Sequence, residues 1–246
     1  MEHTVSQTWN VPGWRAARRI RSSVATYGFA NTLHDLAVRG ANRVMLLKIL
    51  KGVTIDRVDP AFLSCPEPYR PMFLGEERLR EFSRDPANEI SPGFLEDALA
   101  KGDECYGFLA GDALAAYGWY TTRPTRLEQP DLELHFSDEY VYMYKGFTHP
   151  GHRGQRLHAI GMTRALQRYL TRGYKGLVSY VESNNFGSLK SCYRMGYEVF
   201  GSVYLLGAFG LHLSHSTAGC RPYRFRVERM PGAGSHITEP SRSPRY

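Results

Sequence analysis

A cationic turn between a strand and a helix is the chemically most distinctive stretch of the sequence. Residues 141–147 predict a strand and residues 157–171 predict a helix, and the turn 148–156 joins them with Arg153 and Arg156. The first N–H groups of a helix have no intrahelical partners and lie at the positive end of its dipole, so they bind anions. His158 adds a further cationic side chain. The turn therefore predicts a phosphate-binding site.

A second motif lies downstream, where residues 175–181 predict a strand and a short helix follows. Asn185 is suited to cap the start of this helix, and Gly196 suits the left-handed residue that ends it. The helix carries Cys192 and Tyr193. Adjacent helix residues point about 100° apart, so only one of these two side chains can face a given site.

Together these two motifs resemble the acyl-CoA-binding half of the GNAT acetyltransferase superfamily. In that family a strand ends in a hydrophobic-x-Pro element, and Arg/Gln-x-x-Gly-x-Gly/Ala follows, whose backbone amides hold the CoA pyrophosphate. Residues 148–150 and Arg153 match this pattern, whereas Arg156 and His158 stand where glycines are expected. Assigned to the first helical turn, Arg156 should have a negative φ and point its N–H at the anion. Its side chain either pairs with phosphate or narrows the cleft.

The resemblance implies acetyl-CoA or another acyl-CoA as the donor substrate, with no metal. It also implies that the strand bulges and splays from its neighbour, which leaves the backbone of residues 146–148 to bond the pantetheine arm. Glycine in a strand often marks such a close backbone approach, and Gly146 fits it. The donor-binding residues expected are Phe147, Thr148, Arg153, Gly154, Gln155, Arg156, Leu157, His158 and Asn185.

The resemblance also implies catalytic positions. In the family, a tyrosine four residues before the glycine protonates the leaving thiolate. That position is Cys192 here and Tyr193 comes one residue later, so the acid is either a thiol or a shifted tyrosine. The general base stays open among Glu139, Tyr144, Tyr142 and Glu182, which lie near the ends of the two strands.

Composition bounds the remaining interpretation. The chain has 246 residues and a formal net charge of +7, with 42% hydrophobic residues. Residues 1–60 hold a net charge of +5, which attracts an anionic partner or belongs to a solvated capping segment. Four scattered cysteines favour neither a disulfide framework nor a zinc site, and His212 and His215 lack a third ligand. With no apolar run of membrane-spanning length and no secretory signal pattern, we expect a cytoplasmic, reduced protein.

Three segments follow from the patterning. Residues 1–43 predict a basic helical extension, residues 44–229 the main domain and residues 230–246 a disordered tail. In the extension, Asn31 is expected to cap a helix whose apolar stripe, Leu33, Leu36 and Ala37, docks on the domain. In the domain, residues 44–55 predict the first strand, residues 104–121 a tight hairpin and residues 122–139 a polar loop.

The sequence therefore predicts an α/β (α+β) GNAT fold. Its central sheet is mixed but mostly antiparallel, the family's fourth and fifth strands splay to form a cleft, and helices flank it. The predicted function is acyl transfer to a small-molecule or peptide amine by direct attack. One alternative uses a long acyl chain carried by an acidic acyl carrier protein. Another is a non-catalytic binding module, with residues 1–43 contacting a membrane surface more readily than nucleic acid.

Overall fold

The computed structural model describes residues 12–127, 131–208 and 211–230, which contain six α-helices and eleven strands. The helices are α1 Pro12–Tyr27, α2 Phe29–Ala41, α3 Glu76–Phe82, α4 Pro92–Lys101, α5 Leu157–Thr171 and α6 Phe186–Arg194. The strands are β1 Leu46–Ile55, β2 Tyr69–Phe73, β3 Glu104–Ala110, β4 Ala113–Thr121, β5 Thr125–Arg126, β6 Leu132–His135, β7 Tyr140–Thr148, β8 Gly176–Glu182, β9 Glu198–Ala208, β10 Leu211–Ser216 and β11 Arg226–Arg229.

Eight of the strands form the main sheet, in the order β10-β9-β1-β8-β7-β4-β3-β2. Within the described part of the chain, β7 and β8 are its one parallel pair, and the other neighbours run antiparallel. The remaining three strands form a small sheet in the order β11-β6-β5. The prediction of a mixed, mostly antiparallel α/β fold is confirmed.

The first strand of the chain lies inside the main sheet. In β1, Leu50 is opposite Glu182 of β8 on one side and Val203 of β9 on the other. Leu50 and Val53 are almost completely buried, so β1 is part of the core. The predicted strand 44–55 is observed as Leu46–Ile55, two residues shorter at its start, and its partners are the late strands of the chain.

Helices cover the two faces of the main sheet unequally. On one face, α5 packs its buried side chains Leu157, Ile160, Ala165 and Leu166 against the sheet, and α6 adds Leu189 and Cys192. On the other face, α3 and α4 pack through Leu79, Phe82, Leu95 and Ala98. The small sheet completes that second face with Leu132, Leu134 and Val227. We call the first the α5 face and the second the α4 face.

The N-terminal helices dock differently from the prediction. The helix α2 begins after Gly28, whose φ is 87°, and the Asn31 side chain donates to the Tyr27 carbonyl, so Asn31 is not the N-cap. Leu33 is 55% exposed and Leu36 is 44% exposed. The buried apolar side chain of α2 on its other side is Val38, and polar contacts join the helix to the end of β8. The predicted docking through the stripe Leu33, Leu36 and Ala37 is wrong.

Two of these polar contacts reach the end of β8. His34 Nε2 lies 2.9 Å from Ser183 Oγ, and Asn184 donates to the Asp35 carboxylate at 3.0 Å. The predicted loop 122–139 also differs, because it contains β5 and β6, which build the small sheet. Of the predicted tail, residues 231–246 lie outside the described residues.

Candidate active site

The strands β7 and β8 separate soon after they pair. Their parallel pairing covers Tyr140–Tyr142 opposite Gly176–Val178. The Ser179 hydroxyl then donates to the Met143 carbonyl at 2.7 Å, and this side chain stands where the next ladder bond would be. Beyond that point β7 continues along β4 and β8 continues along β1. A cleft therefore opens along residues 143–148 of β7.

A bulge in β7 changes which face each side chain takes. Trp119 of β4 pairs with Lys145 and Tyr120 pairs with Met143, so Tyr144 has no direct partner in β4. Met143 packs in the core of the α5 face, while Tyr144 packs on the α4 face, and the next side chain, Lys145, lies on that same face over the Phe94 ring. A bulge adds one residue and reverses the alternation of side chains beyond it. The bulge predicted by resemblance thus lies at the start of the cleft.

The cationic turn closes one end of this cleft. Residues 150–152 form a short 3-10 helix, Arg153 is extended, and α5 begins at Leu157 as predicted. The backbone N–H groups of residues 157–159 precede the first α5 ladder bond, which Ile160 donates to the Arg156 carbonyl. Arg153 through Arg156 are all exposed. The turn therefore presents cations and free helix N–H groups together.

Arg156 has the backbone of a glycine position. It is the N-cap of α5, with φ 59° and ψ 16°, in the left-handed region. The expectation of a negative φ is therefore wrong. Because a Cβ makes this region costly, glycine is the residue that usually occupies it. Arg156 thus stands where the resemblance predicts glycine, and its backbone has the conformation that glycine would favour.

His158 points into the cleft. A Cβ built on Gly146 would lie 2.7 Å from His158 Cε1 and 2.9 Å from Met143 Cε, so any side chain at residue 146 would have to displace the imidazole or the methionine methyl group. Burial lowers the pKa of His158 and favours its neutral form. The interpretation of His158 as an added phosphate-binding charge does not hold. Its ring instead covers the β7 backbone at residue 146.

The helix α6 separates its two candidate acids. Asn185 caps it by accepting from the Ser188 N–H at 3.1 Å, and Gly196 follows it with φ 86°. Cys192 packs against the core of the α5 face, and burial raises the pKa of its thiol to about 11. Tyr193 is 57% exposed and lines a separate cavity with β1 and β9 residues. The structure therefore brings Cys192, not Tyr193, to the side of α6 that faces the sheet.

Two of the candidate bases lie away from the middle of the cleft. Glu139 precedes β7, at the end where β7 still pairs with β8, and it forms a 2.5 Å ion pair with Lys175. Glu182 ends β8 and pairs with Lys48 at 2.7 Å. Both carboxylates are thus already engaged by lysines. The structure does not bring Glu139 to the bulge, and a role for it as the base is not supported.

Tyr144 belongs to a polar network that the sequence did not indicate. Its hydroxyl donates to Asp103 Oδ2 at 2.7 Å, and Lys101 Nζ lies 3.1 Å from the same oxygen. Burial, and then the neighbouring Asp103 carboxylate, raise the pKa of Tyr144, so the phenol stays protonated. The Asp103 side chain is 1% exposed. Its other oxygen, Oδ1, has no hydrogen-bond partner among the described residues.

A cavity of about 380 Å³ adjoins this network on the α4 face. Helix α4 supplies Phe94, Asp97, Ala98 and Lys101 to its wall, and Asp103, Tyr144 and residues of β5 and β6 complete it. Because Tyr144 is the bulged residue of β7, the cavity lies beside the start of the cleft. The α5 turn and this cavity are on opposite faces of the sheet.

No protein-family model matches the sequence, and no curated protein matches it. Solved structures do match. One is a GNAT-family acetyltransferase from Novosphingobium aromaticivorans, with 20% identity and a TM-score of 0.49, covering 68% of this chain and 67% of that one. Another is a GNAT-family acetyltransferase from Colwellia psychrerythraea, with 15% identity and a TM-score of 0.47. It covers 67% of this chain and 57% of that one.

A third match is AAC(6')-Iy in complex with a bisubstrate analogue of CoA, at 19% identity and a TM-score of 0.40. It covers 53% of this chain and 90% of that one. In fold, the chain is similar to GNAT acetyltransferases. All three TM-scores lie below 0.5, and each match covers part of the chain. In the described residues, no helix combines the length and apolar character needed to cross a membrane.

Proposed function

We propose that this protein transfers an acyl group from acyl-CoA to an amine. One observation carries the proposal: the splay of β7 from β8 opens beside the cationic turn that starts α5. The turn offers charged and backbone donors to a pyrophosphate, and the splayed strand offers backbone donors and acceptors to the pantetheine amides. The distance along β7 between bulge and turn then sets where the thioester lies.

The transfer needs one bond made and one broken. The amine nitrogen attacks the thioester carbonyl carbon, the C–N bond forms and the C–S bond breaks, and the electron pair leaves on sulfur. The proton lost by nitrogen ends on the thiolate. Holding both reactants across the sheet supplies much of the rate, because it removes the entropy cost of bringing them together. We propose Cys192 as the α6 side chain near the leaving sulfur.

His158 must share the cleft with the donor. Its ring lies against Gly146, where the pantetheine arm would bond β7. The imidazole therefore either turns away when donor binds or packs along the arm. A neutral imidazole does either at lower cost than a charged one, since no ion has to be desolvated.

The test is whether the purified protein binds the donor, measured by calorimetry and by thermal unfolding. Acetyl-CoA at about 100 times its dissociation constant should stabilise the fold by roughly 2.7 kcal/mol. Arg153→Ala should weaken binding roughly ten- to hundredfold through loss of a charge-assisted contact. Arg57→Ala is the matched control, because Arg57 is exposed just after β1, where Ile55 pairs with Leu177 at the other end of β8. Absence of binding by acetyl-CoA and by longer acyl-CoAs would refute the proposal.

A donor on an acyl carrier protein is the second candidate. Arg153 and Arg156 are exposed together at the mouth of the cleft, and carrier proteins present acidic surfaces. Both donors share the pantetheine arm, so the same cleft serves either. Comparing turnover with acyl-CoA and with the same acyl group on a carrier protein separates the two. If only the acyl carrier protein supports turnover, it is the donor in place of acyl-CoA. If neither donor supports turnover, the protein is a binding module.

A further inference from the structure

The cavity on the α4 face has a buried carboxylate oxygen without a donor. Asp103 lines the cavity, its side chain is 1% exposed, and its Oδ1 has no hydrogen-bond partner among the described residues. Lys101 and Tyr144 both engage Oδ2. An unpaired buried carboxylate oxygen is costly, and a ligand that donates to it recovers that cost.

The rest of the wall shows what the ligand must look like. Phe94 and Ala98 supply apolar surface, and the Phe94 ring lies 6.1 Å from the ring of Tyr144. Asp97 and Glu133 add two more carboxylates to the wall. A volume of about 380 Å³ is at the small end of ligand cavities. Lys101 and Arg126 line the wall as well, so its three carboxylates outnumber its cations by one. The wall thus combines a flat apolar side with a weakly negative end.

We propose that this cavity binds a small primary amine in its protonated form, with Asp103 Oδ1 accepting from the ammonium and Phe94 packing on the apolar body. The inference rests on the proposed function, because it names the acceptor class of that reaction. The amine lies on the α4 face, and the donor lies on the α5 face. The bulge at Tyr144 brings the two together.

The same contact prepares the nucleophile. An ammonium has no lone pair, so it must lose a proton before it attacks a carbonyl. Transfer of one proton from the ammonium to Asp103 Oδ1 gives a neutral amine and a carboxylic acid. The neutral amine then forms the C–N bond while the C–S bond of the thioester breaks, and its second proton ends on the thiolate. The Tyr144 hydroxyl holds the carboxylate in place by donating to Oδ2.

Three probes of one shape test the charge requirement without any donor. Phenethylamine, 2-phenylethanol and 3-phenylpropionate share a ring and differ in the group at its end. Calorimetry or ligand-observed NMR on the full chain should show binding of the amine and weaker binding of the other two. Asp103→Asn should weaken the amine roughly ten- to hundredfold. Asp112→Asn, at an exposed turn far along the β3–β4 hairpin, is the control for loss of one negative charge.

A second variant guards against misfolding of Asp103→Asn. Lys101→Met removes the cation beside the carboxylate, so it should keep or tighten amine binding. Equal binding of all three probes, no binding of the amine, or weaker binding by Lys101→Met would overturn the inference. Donor binding is measured separately. If the protein binds the amine but not acyl-CoA, only the proposed reaction is contradicted. If it binds acyl-CoA but not the amine, only this site is contradicted.

An independent observation concerns the exposed face of α2. Phe29, Leu33 and Leu36 are spaced along one side of the helix, opposite the side that docks on β8, and Phe29 is 72% exposed. Val44 and Met45 follow the helix and are also exposed. Residues 12–45 hold six arginines and one aspartate. Leu36 and Ile20 line one groove, whose charged side chains are three arginines and two acids: Arg19, Arg39, Arg43, Asp35 and Glu182.

Apolar side chains surrounded by arginines fit one kind of partner best. We infer that α1 and α2 bind an anionic lipid surface, with the α2 stripe entering the headgroup region. Helices of this kind lie in the plane of the interface and bind by buried apolar area plus attraction to anionic lipid. A nucleic acid would engage the arginines but leave Phe29 and Val44 in water.

Vesicle sedimentation tests this surface. The full chain should bind vesicles that contain phosphatidylserine and should not bind vesicles of pure phosphatidylcholine. Binding to the anionic vesicles should weaken with salt, because the Debye length falls from roughly 30 Å at 0.01 M to about 8 Å at 0.15 M. The triple variant Phe29→Ser, Leu33→Ser, Leu36→Ser should lose at least roughly tenfold in partitioning. The double variant Leu211→Ser, Leu213→Ser is the matched control, because both leucines are 70% exposed on β10.

Three results would overturn the membrane inference. The first is failure of the unaltered protein to bind anionic vesicles at low salt. The second is an equal loss by the β10 control. The third is a change from dimer to monomer in the triple variant without lipid, which would assign the stripe to a second copy. In the first case, duplex DNA binding that survives in the triple variant would assign the arginines to nucleic acid.

Discussion

Arg156 carries a backbone cost that a single substitution can remove. Its φ of 59° lies in the region that disfavours side chains with a Cβ. Arg156→Gly should therefore raise the free energy of unfolding by about 1 kcal/mol, measured by urea denaturation. Gln155→Gly is the neighbouring control. Its φ is not positive, so glycine there should lower stability by roughly 0.5–1 kcal/mol. Equal losses for both variants would contradict the strain at Arg156.

Cys192 should behave as a protonated thiol. Burial raises its pKa from 9.0 to about 11. Iodoacetamide labelling of the native protein should therefore rise through pH 11, and at pH 9 it should be roughly a hundredfold slower than in urea. The burial of the neutral thiol stabilises the fold below pH 9, and that stability is lost as the pH rises toward 11. A native inflection at or below 9 would show a neighbouring group that activates the thiol.

Part of the candidate site could be predicted from residue types alone. The cationic turn, Asn185 and Gly196 were predicted, because caps and turns depend on nearby residues. The Tyr144–Asp103 hydrogen bond was not, since its partners lie 41 residues apart and neither sits in a motif. The left-handed conformation of Arg156 was also missed. The sequence does not show that Arg156 is the last residue of the turn, and that position sets its conformation.

At the scale of elements, the helix α5 and the β3–β4 hairpin have the bounds predicted for them, and α6 follows closely. Their start and stop signals are local. The docking of α2 was predicted wrongly because the buried side of the helix carries Val38 with the polar residues His34 and Asp35, whereas the longer apolar stripe is exposed. The place of β1 in the sheet could not be predicted, since a strand pattern does not say which strands will pair with it.

The register of β1 against β9 depends on one glycine. A Cβ on Gly52 would lie 2.5 Å from two Phe200 ring carbons, at the point where the pairing shifts by one residue. Gly52→Ala should lower stability by roughly 1–3 kcal/mol in chemical denaturation, and Phe200→Leu in the same chain should restore part of it. Gly93→Ala is the control, because its Cβ would meet open space. Strictly additive effects of the first two substitutions would exclude this clash.

At the scale of the whole molecule, truncation distinguishes the extension from the core. A chain that starts at residue 44 loses α1 and α2 with their contacts to Ser183 and Asn184, and it should still unfold cooperatively at a lower temperature. A chain that starts at residue 57 also loses Leu50 and Val53, and it leaves β8 and β9 without their shared neighbour. Since one buried leucine is worth about 2–5 kcal/mol, the shorter chain should not fold.

Circular dichroism and urea titration of the two truncated chains check this. A cooperative transition in the chain starting at residue 57 would show that β1 is dispensable. Loss of folding in the chain starting at residue 44 would show that the N-terminal helices, and not β1 alone, complete the domain. The boundary predicted near residue 44 is then tested by whether the chain that starts there unfolds cooperatively.

The position of β1 also governs how the chain reaches its native state during synthesis. The strand leaves the ribosome before its partners β8 and β9, which are made more than a hundred residues later. Until then an apolar segment has no strand to pair with, and closing the intervening loop slows the search. Such a segment is open to wrong pairing and to chaperones for as long as translation lasts. Maturation of the domain thus waits for β8 and β9, although the core strand β1 is made long before them.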